Sequence, residues 1–462
     1  MNRAGETPQR TRPSPAPVWW GLLLLLALLP IPFGGNRPWA WSLMSLWSAL
    51  LLAGWAVAVG LGRRTLIWRP ALAVPLVGAA LLLCWILLSI VPGFGMPHPL
   101  WQLASDQLGR VLPGRIALSV DGVLVSLMRL LSYASIFWLT LQYARDRRRA
   151  EILLSWISWT GLLLALYSLV NLFAGNRYLL WYERWTGQED ATSTFVNRNH
   201  YATFAGLGLI CAVALGVSAF RAAWRYSDRS QKLLSRTIEC LAGRPALYLV
   251  LALVMAMAVL QTHSRMGAAA TALGMVALLV LMSASGLVRR YYSLVAVVIV
   301  AGFLLLRISG EGTLERLGET GENSRLPLFD IVVEQIGSAP YTGSGYGSFA
   351  QAFMMFRDMR LPGGSVFTAA HNSYLELAAE IGIPATALLI LAILWCVALC
   401  LIGVFRRRRD GIYPLVAVAA SVLVGVHALF DFSLQIPAVA ALYAAILGLG
   451  VGQSWSTEQD GL

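Results

Sequence analysis

Residues Thr368–Ala385 read TAAHNSYLELAAEIGIPA, and Thr386–Phe405 continue as TALLILAILWCVALCLIGVF. The second stretch decides the fold class. About 20 apolar residues, rising 1.5 Å each, cross the hydrocarbon of a bilayer. The first stretch is polar and comes just before this crossing. Asn372 and Ser373 are residue types that cap a helix start, so a helix begins there. Pro384 would kink or break that helix. The alternative is a short surface helix followed by the true span. In either form the segment is a polar, water-exposed rim leading into the membrane. Asn372, Glu376 and Glu380 share one helix face, whereas His371 and Leu375 share another. Glu376 therefore need not orient His371.

The rest of the chain repeats the apolar pattern. Of 462 residues, 58% are hydrophobic and 13% charged, against about 45–50% and about 25% in soluble domains. The reading is an all-α, polytopic integral membrane protein with about twelve transmembrane helices. The apolar runs lie at about 18–33, 38–60, 70–91, 120–143, 150–174, 199–220, 245–262, 266–286, 291–307, 372–403, 412–430 and 437–453. Residues 1–17 are polar, Pro-rich and disordered, 18–174 form the N-terminal helices, 175–440 the core, and 441–462 the end of the last span and a tail. No small-x-small cleavage site follows the first apolar run, so it reads as a span and not a signal peptide. The five cysteines contain no CxxC and no pair placed for a disulfide outside the membrane.

The net charge of +12 would suit nucleic acid, but its placement argues otherwise. Basic residues cluster at alternate turns: Arg3 to Arg12, Arg63 to Arg69, Arg145 to Arg149, Arg221 to Arg244, Arg289 and Arg290, and Arg406 to Arg409. Such clusters anchor cytoplasmic loops on an anionic leaflet. Both termini are then cytoplasmic, and nucleic acid is not needed as a partner. Three segments on the opposite side are long: about 92–119, 175–198 and 308–371. In the last, Glu311, Glu315 and Glu319 predict a short solvated helix, and RLPLFDIVVEQI is amphipathic enough to lie along the interface.

Polar residues that topology does not require gather on this outer side. They are Arg37, Arg198, His200, His263, Arg265, Arg325, His371, Asn372, Glu376 and Asp431. Arg265 sits in QTHSRMG, a turn almost too short to solvate it. It is either an interfacial anchor that snorkels or an anion contact, to which the planar guanidinium fork suits phosphate. Arg325 gains weight only as its partner. His371 can act as a base near neutral pH. The glycine-rich GSGYGSF lacks the strand–turn–helix setting of a phosphate loop and reads as tight turns. No carboxylate–histidine cluster has metal-ligand spacing, and no cofactor is implied. His98 reads as a loop residue, and His427 as a partner of Asp431 or of a helix end.

These segments resemble the O-antigen ligase and polymerase superfamily of bacterial envelope glycosyltransferases. The resemblance rests on NRNHYA (197–202), THSRMG (262–267), NSRLPLFD (323–330), APYTGSGYGSF (339–349), HNSYLELAAEIGIPA (371–385) and DFSLQIPA (431–438), in this order around one large loop. It covers roughly residues 190–440. PFGGNRPWAW (32–41) is similar to the start of exopolysaccharide-polymerizing members.

The resemblance implies a fold like the C-type membrane glycosyltransferases and a site facing the periplasm of the inner membrane. It implies transfer of a glycan from an undecaprenyl-pyrophosphate carrier to an acceptor hydroxyl, without a metal and with inversion. The acceptor is lipid A–core in ligases and another lipid-linked unit in polymerases. The family's functional arginines correspond to Arg265 and Arg325, and its histidine to His371. Glu376 would then serve helix packing or an acceptor sugar. A lipid-linked glycan flippase is the competing class. It would spread polar residues through the depth of several spans, but here they gather at one face, with Arg129 the main exception.

Overall fold

The computed structural model describes residues 17–184, 187–228, 230, 232–288, 325–361, 367–407 and 411–455. The expected span at 291–307, the Glu311–Glu319 helix, residues 1–16 and the tail from 456 lie outside the described residues, as does the Arg325 side chain.

The described chain is mostly helical. Its α-helices are α1 (Pro17–Leu28), α2 (Pro38–Gly60), α3 (Ala73–Leu88), α4 (Leu100–Leu108), α5 (Val120–Tyr143), α6 (Arg147–Phe173), α7 (Arg198–Tyr226), α8 (Leu233–Leu241), α9 (Arg244–Gln261), α10 (Arg265–Ala284), α11 (Arg325–Ser338), α12 (Phe349–Phe353), α13 (Ser373–Ile381), α14 (Ile383–Arg406), α15 (Ile412–His427) and α16 (Pro437–Gly452). One antiparallel hairpin, β1 (Tyr178–Leu179) with β2 (Tyr182–Glu183), interrupts them. Eight helical segments are long and apolar enough to cross a membrane, and α1, α15 and α16 are shorter apolar helices.

The stretch that opened the sequence reading resolves into two helices. α13 ends at Gly382, and Pro384 sits in the first turn of α14, where its missing N–H costs nothing. Gly382 has φ +81, and a Cβ there would collide with the Tyr341 carbonyl.

α7 is the central helix. Two-thirds of its apolar window is buried (67%) because α6, α9, α10, α15 and α16 pack around it, whereas α14 buries only 22% and presents its apolar surface outward. α5 runs the depth of the bundle. Its start touches Gly347 through Gly122. At its far end, Arg64 and Arg149 lie over the Tyr143 ring at 5.2 and 5.4 Å. There too Gln453 donates to the Ala144 and Arg145 carbonyls and accepts from Arg407. Arg64, Arg145, Arg149 and Arg407 of the described basic clusters thus collect at one end. α7, α10 and α13 begin at the other.

At that other end α11 packs on α12 and α13 through Leu328, Ile331, Val332, Ile336, Phe349, Phe353 and Ala379. Much of the apolar face of RLPLFDIVVEQI is therefore used within the protein, while Leu326 and Val333 stay exposed. The glycine loop between α11 and α12 wraps the end of α13. Ser344 and Gly345 donate to the Ala379 and Glu380 carbonyls at 3.0 and 2.7 Å. The Phe349 amide donates to the Glu380 carboxylate at 3.0 Å. These bonds satisfy carbonyls that a helix end leaves open.

Candidate functional site

The first turn of α7 joins two polar clusters. Asn197 caps the helix through the Asn199 amide at 2.8 Å, which leaves the Asn199, His200 and Thr203 side chains to face neighbouring helices. Asn199 accepts from Ser264 at 2.7 Å, beside Arg265. His200 is buried (5% exposed) and faces Asp431, beside His371.

His371 stands on a strained backbone, with φ +52. Asn372 caps α13 through the Tyr374 and Leu375 amides. Ser373 ties the helix start to the α15–α16 connection, bonding the Ala428 and Asp431 carbonyls at 2.9 and 3.1 Å. This tie places Asp431 between two histidines. Its Oδ1 is 3.7 Å from His371 Nδ1, and its Oδ2 is 3.6 Å from His200 Nε2. Both rings stand edge-on to Phe432, with centroids at 4.9 and 4.6 Å. Ser433 donates to Asp431 Oδ2 at 2.6 Å and also bonds His427 Nδ1, which pairs with Thr203. His427 thus reaches Asp431 through Ser433.

Burial would raise the Asp431 pKa, but His200, His371, His427 and Ser433 outweigh it and hold the carboxyl well below its usual range. A carboxylate facing Nδ1 leaves Nε2 of His371 as the nitrogen that can accept a proton. The distances are longer than full hydrogen bonds, as is common at catalytic pairs without substrate. Among the described residues, no three His, Cys, Asp or Glu side chains are placed to hold a metal ion.

Glu376 and Glu380 are both 5% exposed, so they do not belong to a water-exposed rim. The Glu376 Oε2 accepts the Ala370 N–H at 2.7 Å, one residue before His371. The expectation that Glu376 need not orient His371 is corrected: the side chain turns back across the helix start, a path that helix-face geometry omits. Burial and the Glu380 carboxylate push Glu376 up to about 8, opposed by the Ala370 amide, Gln435 and Arg129. Burial likewise pushes Glu380 up to about 7. Arg129, which lies within α5, is near enough to the glutamate pair to lower both values. It also lies 5.1 Å from the Trp41 ring and bonds Ser126.

Arg265 is exposed and opens α10, with Ser264 as N-cap through the Gly267 amide. Its guanidinium adds to the positive end of the helix dipole, an arrangement that suits an anion. His263 has φ +50, so both histidines precede a cap residue from a left-handed backbone. His263 Nδ1 pairs with Asp190 Oδ1 at 2.9 Å, and Arg198 reaches both Asp190 oxygens at 3.2 and 3.0 Å. Arg325 opens α11.

Arg37 belongs to the turn before α2. It lies 4.9 Å from the Phe33 ring, which packs edge-on against Trp181 and Tyr182 of the hairpin. His98 is a buried loop residue whose ring accepts the Leu100 amide.

Asp190 and Ser433 were not singled out by the sequence, and Glu380 entered only as sharing a helix face with Asn372 and Glu376. Asp190 carries no local signal, because its partner His263 lies 73 residues away. Arg129 did carry one, as a charge within a span that requires a counter-charge.

A search of curated proteins finds no match to the chain. A family model described as O-antigen ligase matches residues 250–390, a stretch that holds His263, Arg265, Arg325, His371, Glu376 and Glu380. This match supports the resemblance to the O-antigen ligase and polymerase superfamily that the sequence motifs carry.

Proposed function

We propose that the protein transfers a glycan from an undecaprenyl-pyrophosphate carrier to an acceptor hydroxyl at the periplasmic face of the inner membrane. The observation that carries this reading is the pairing of His371 with the buried Asp431 at the same bundle end as the Arg265 helix start. His371 takes the proton of the acceptor hydroxyl as its oxygen bonds to the anomeric carbon. The bond from that carbon to the pyrophosphate oxygen breaks on the opposite side, so the configuration inverts. Arg265 and Arg325 hold the departing pyrophosphate, and a fixed guanidinium stabilises that charge without a metal ion. Asp431 orients the imidazole and balances its charge when protonated.

The test uses purified protein in excess chelator, with a lipid-linked glycan donor and either lipid A–core or a second lipid-linked unit as acceptor. His371→Ala should slow transfer by about 10²–10⁴-fold while donor binding persists. Arg265→Ala and Arg325→Ala should weaken donor binding, and Arg265→Lys should rescue poorly. Transfer to lipid A–core identifies a ligase, and transfer to the lipid-linked unit a polymerase. Parental transfer by His371→Ala would remove the base assignment. Activity that requires an added divalent ion would remove the metal-free reading.

A further inference from the structure

One carboxylate ties together two segments that are distant in sequence. Asp190 lies in the connection between β2 and α7, and its side chain is 11% exposed. It binds His263 in the α9–α10 turn and Arg198 at the start of α7. Arg184 secures the same connection by donating to the Asp190 carbonyl at 2.9 Å and to the Thr192 hydroxyl. The Ala191 amide donates to the Gln261 carbonyl at 2.8 Å, on the other side of the turn.

The base of this clip is firm. Ser193 bonds Ser168 and the Leu164 carbonyl of α6, and Thr194 bonds the Pro30 carbonyl. Across the turn, α10 is pressed against α7, since a Cβ on Gly267 would strike Ala202. His263 is held with φ +50, a conformation that a histidine keeps only when its surroundings impose it. Arg265 follows two residues later as the first residue of α10.

We propose that Asp190 is a positioning residue for Arg265. It locks the His263 turn so that Arg265 and the α10 N-terminus meet the anionic pyrophosphate of the donor in one geometry. The inference rests on the donor-binding reading above. Burial alone does not account for the clip. The His263 and Arg198 side chains are 46% and 47% exposed, so water could solvate both without Asp190. What the carboxylate adds is a fixed turn.

The experiment measures donor KM, kcat and binding of glycan-free undecaprenyl pyrophosphate with the full-length protein in lipid nanodiscs. Asp190→Ala should raise donor KM and weaken undecaprenyl pyrophosphate binding by about tenfold, as expected for one lost charge-assisted contact. Its kcat should stay within about twofold, because the base is untouched. Asp190→Glu should recover part of the affinity. His263→Ala should reproduce the KM rise from the turn side, and the double variant should be no worse than either single one. His263→Ala also carries the test if Asp190→Ala accumulates poorly. Parental KM in both single variants overturns the proposal, as does a fall in kcat at unchanged KM. Arg265→Ala separates the two readings. If it leaves donor KM unchanged, the donor-binding reading fails. If it raises KM and Asp190→Ala does not, only the positioning role fails.

Discussion

The Glu376 carboxylate accepts the Ala370 N–H at 2.7 Å and so fixes the peptide that leads into His371. The His371 backbone is left-handed, with φ +52. A bond next to such a residue has leverage, because the strained conformation must be imposed from outside. Glu376→Gln keeps an oxygen acceptor in place and should retain most transfer activity. Glu376→Ala leaves the buried amide unsatisfied and should lower kcat at least about tenfold, with donor KM unchanged. Single-turnover assays on the two variants check this. Equal loss in both would show that charge, and not the bond to Ala370, is what matters.

The same pair of glutamates should make stability pH-dependent. Burial raises both above the ordinary carboxylate value, and the Glu380 carboxylate raises Glu376 further, so that Glu376 reaches about 8 and Glu380 about 7. The folded protein then holds protons that the unfolded chain releases. That contribution is fully present below pH 4.5 and is lost as pH rises through about 8. The slope is on the order of 1.4 kcal/mol per pH unit for each proton. Glu380→Gln removes the neighbouring charge and should flatten the fall, even if it lowers the starting value. Thermal unfolding in detergent from pH 5 to pH 9 measures the two slopes. Identical slopes would sink the account.

Asp431 faces His371 at 3.7 Å and His200 at 3.6 Å while fully buried. Asp431→Asn keeps the shape but loses the charge that balances a protonated His371. Transfer should fall about 10²-fold, the scale on which a misplaced reacting group acts. Donor binding should hold, since the Arg265 cluster does not include Asp431. His200→Asn should cost less than Asp431→Asn if His200 only supports the carboxylate. A steady-state comparison of the three proteins decides. A larger loss in His200→Asn would make His200 the principal partner.

Arg64, Arg149, Arg244 and Arg407 lie at the bundle end away from His371. Topology reporters fused at Pro340 should behave as periplasmic, and those at Gly62 as cytoplasmic. A cytoplasmic signal at Pro340 would overturn the orientation and the proposed substrate side together.

The sequence by itself determined what local pattern controls. Hydropathy located α2 at Pro38–Gly60 and α5 at Val120–Tyr143 to the residue, because a span's composition needs no partner to be recognised. Asn372 as cap was legible too, and Pro384 was legible as a break with two readings, of which the short helix followed by the span is the one found. His371, Arg265 and Asp431 stood out as polar residues without a topological reason. Tertiary structure alone decided how these residues pair. Asp190 meets His263 across 73 residues, and Glu380 receives the Phe349 amide across 31. Arg129 acts on the glutamates of α13, far along the chain. A buried charge requires a partner, but which partner it receives depends on how helices such as α5, α7 and α13 are brought side by side, and no local spacing carries that information.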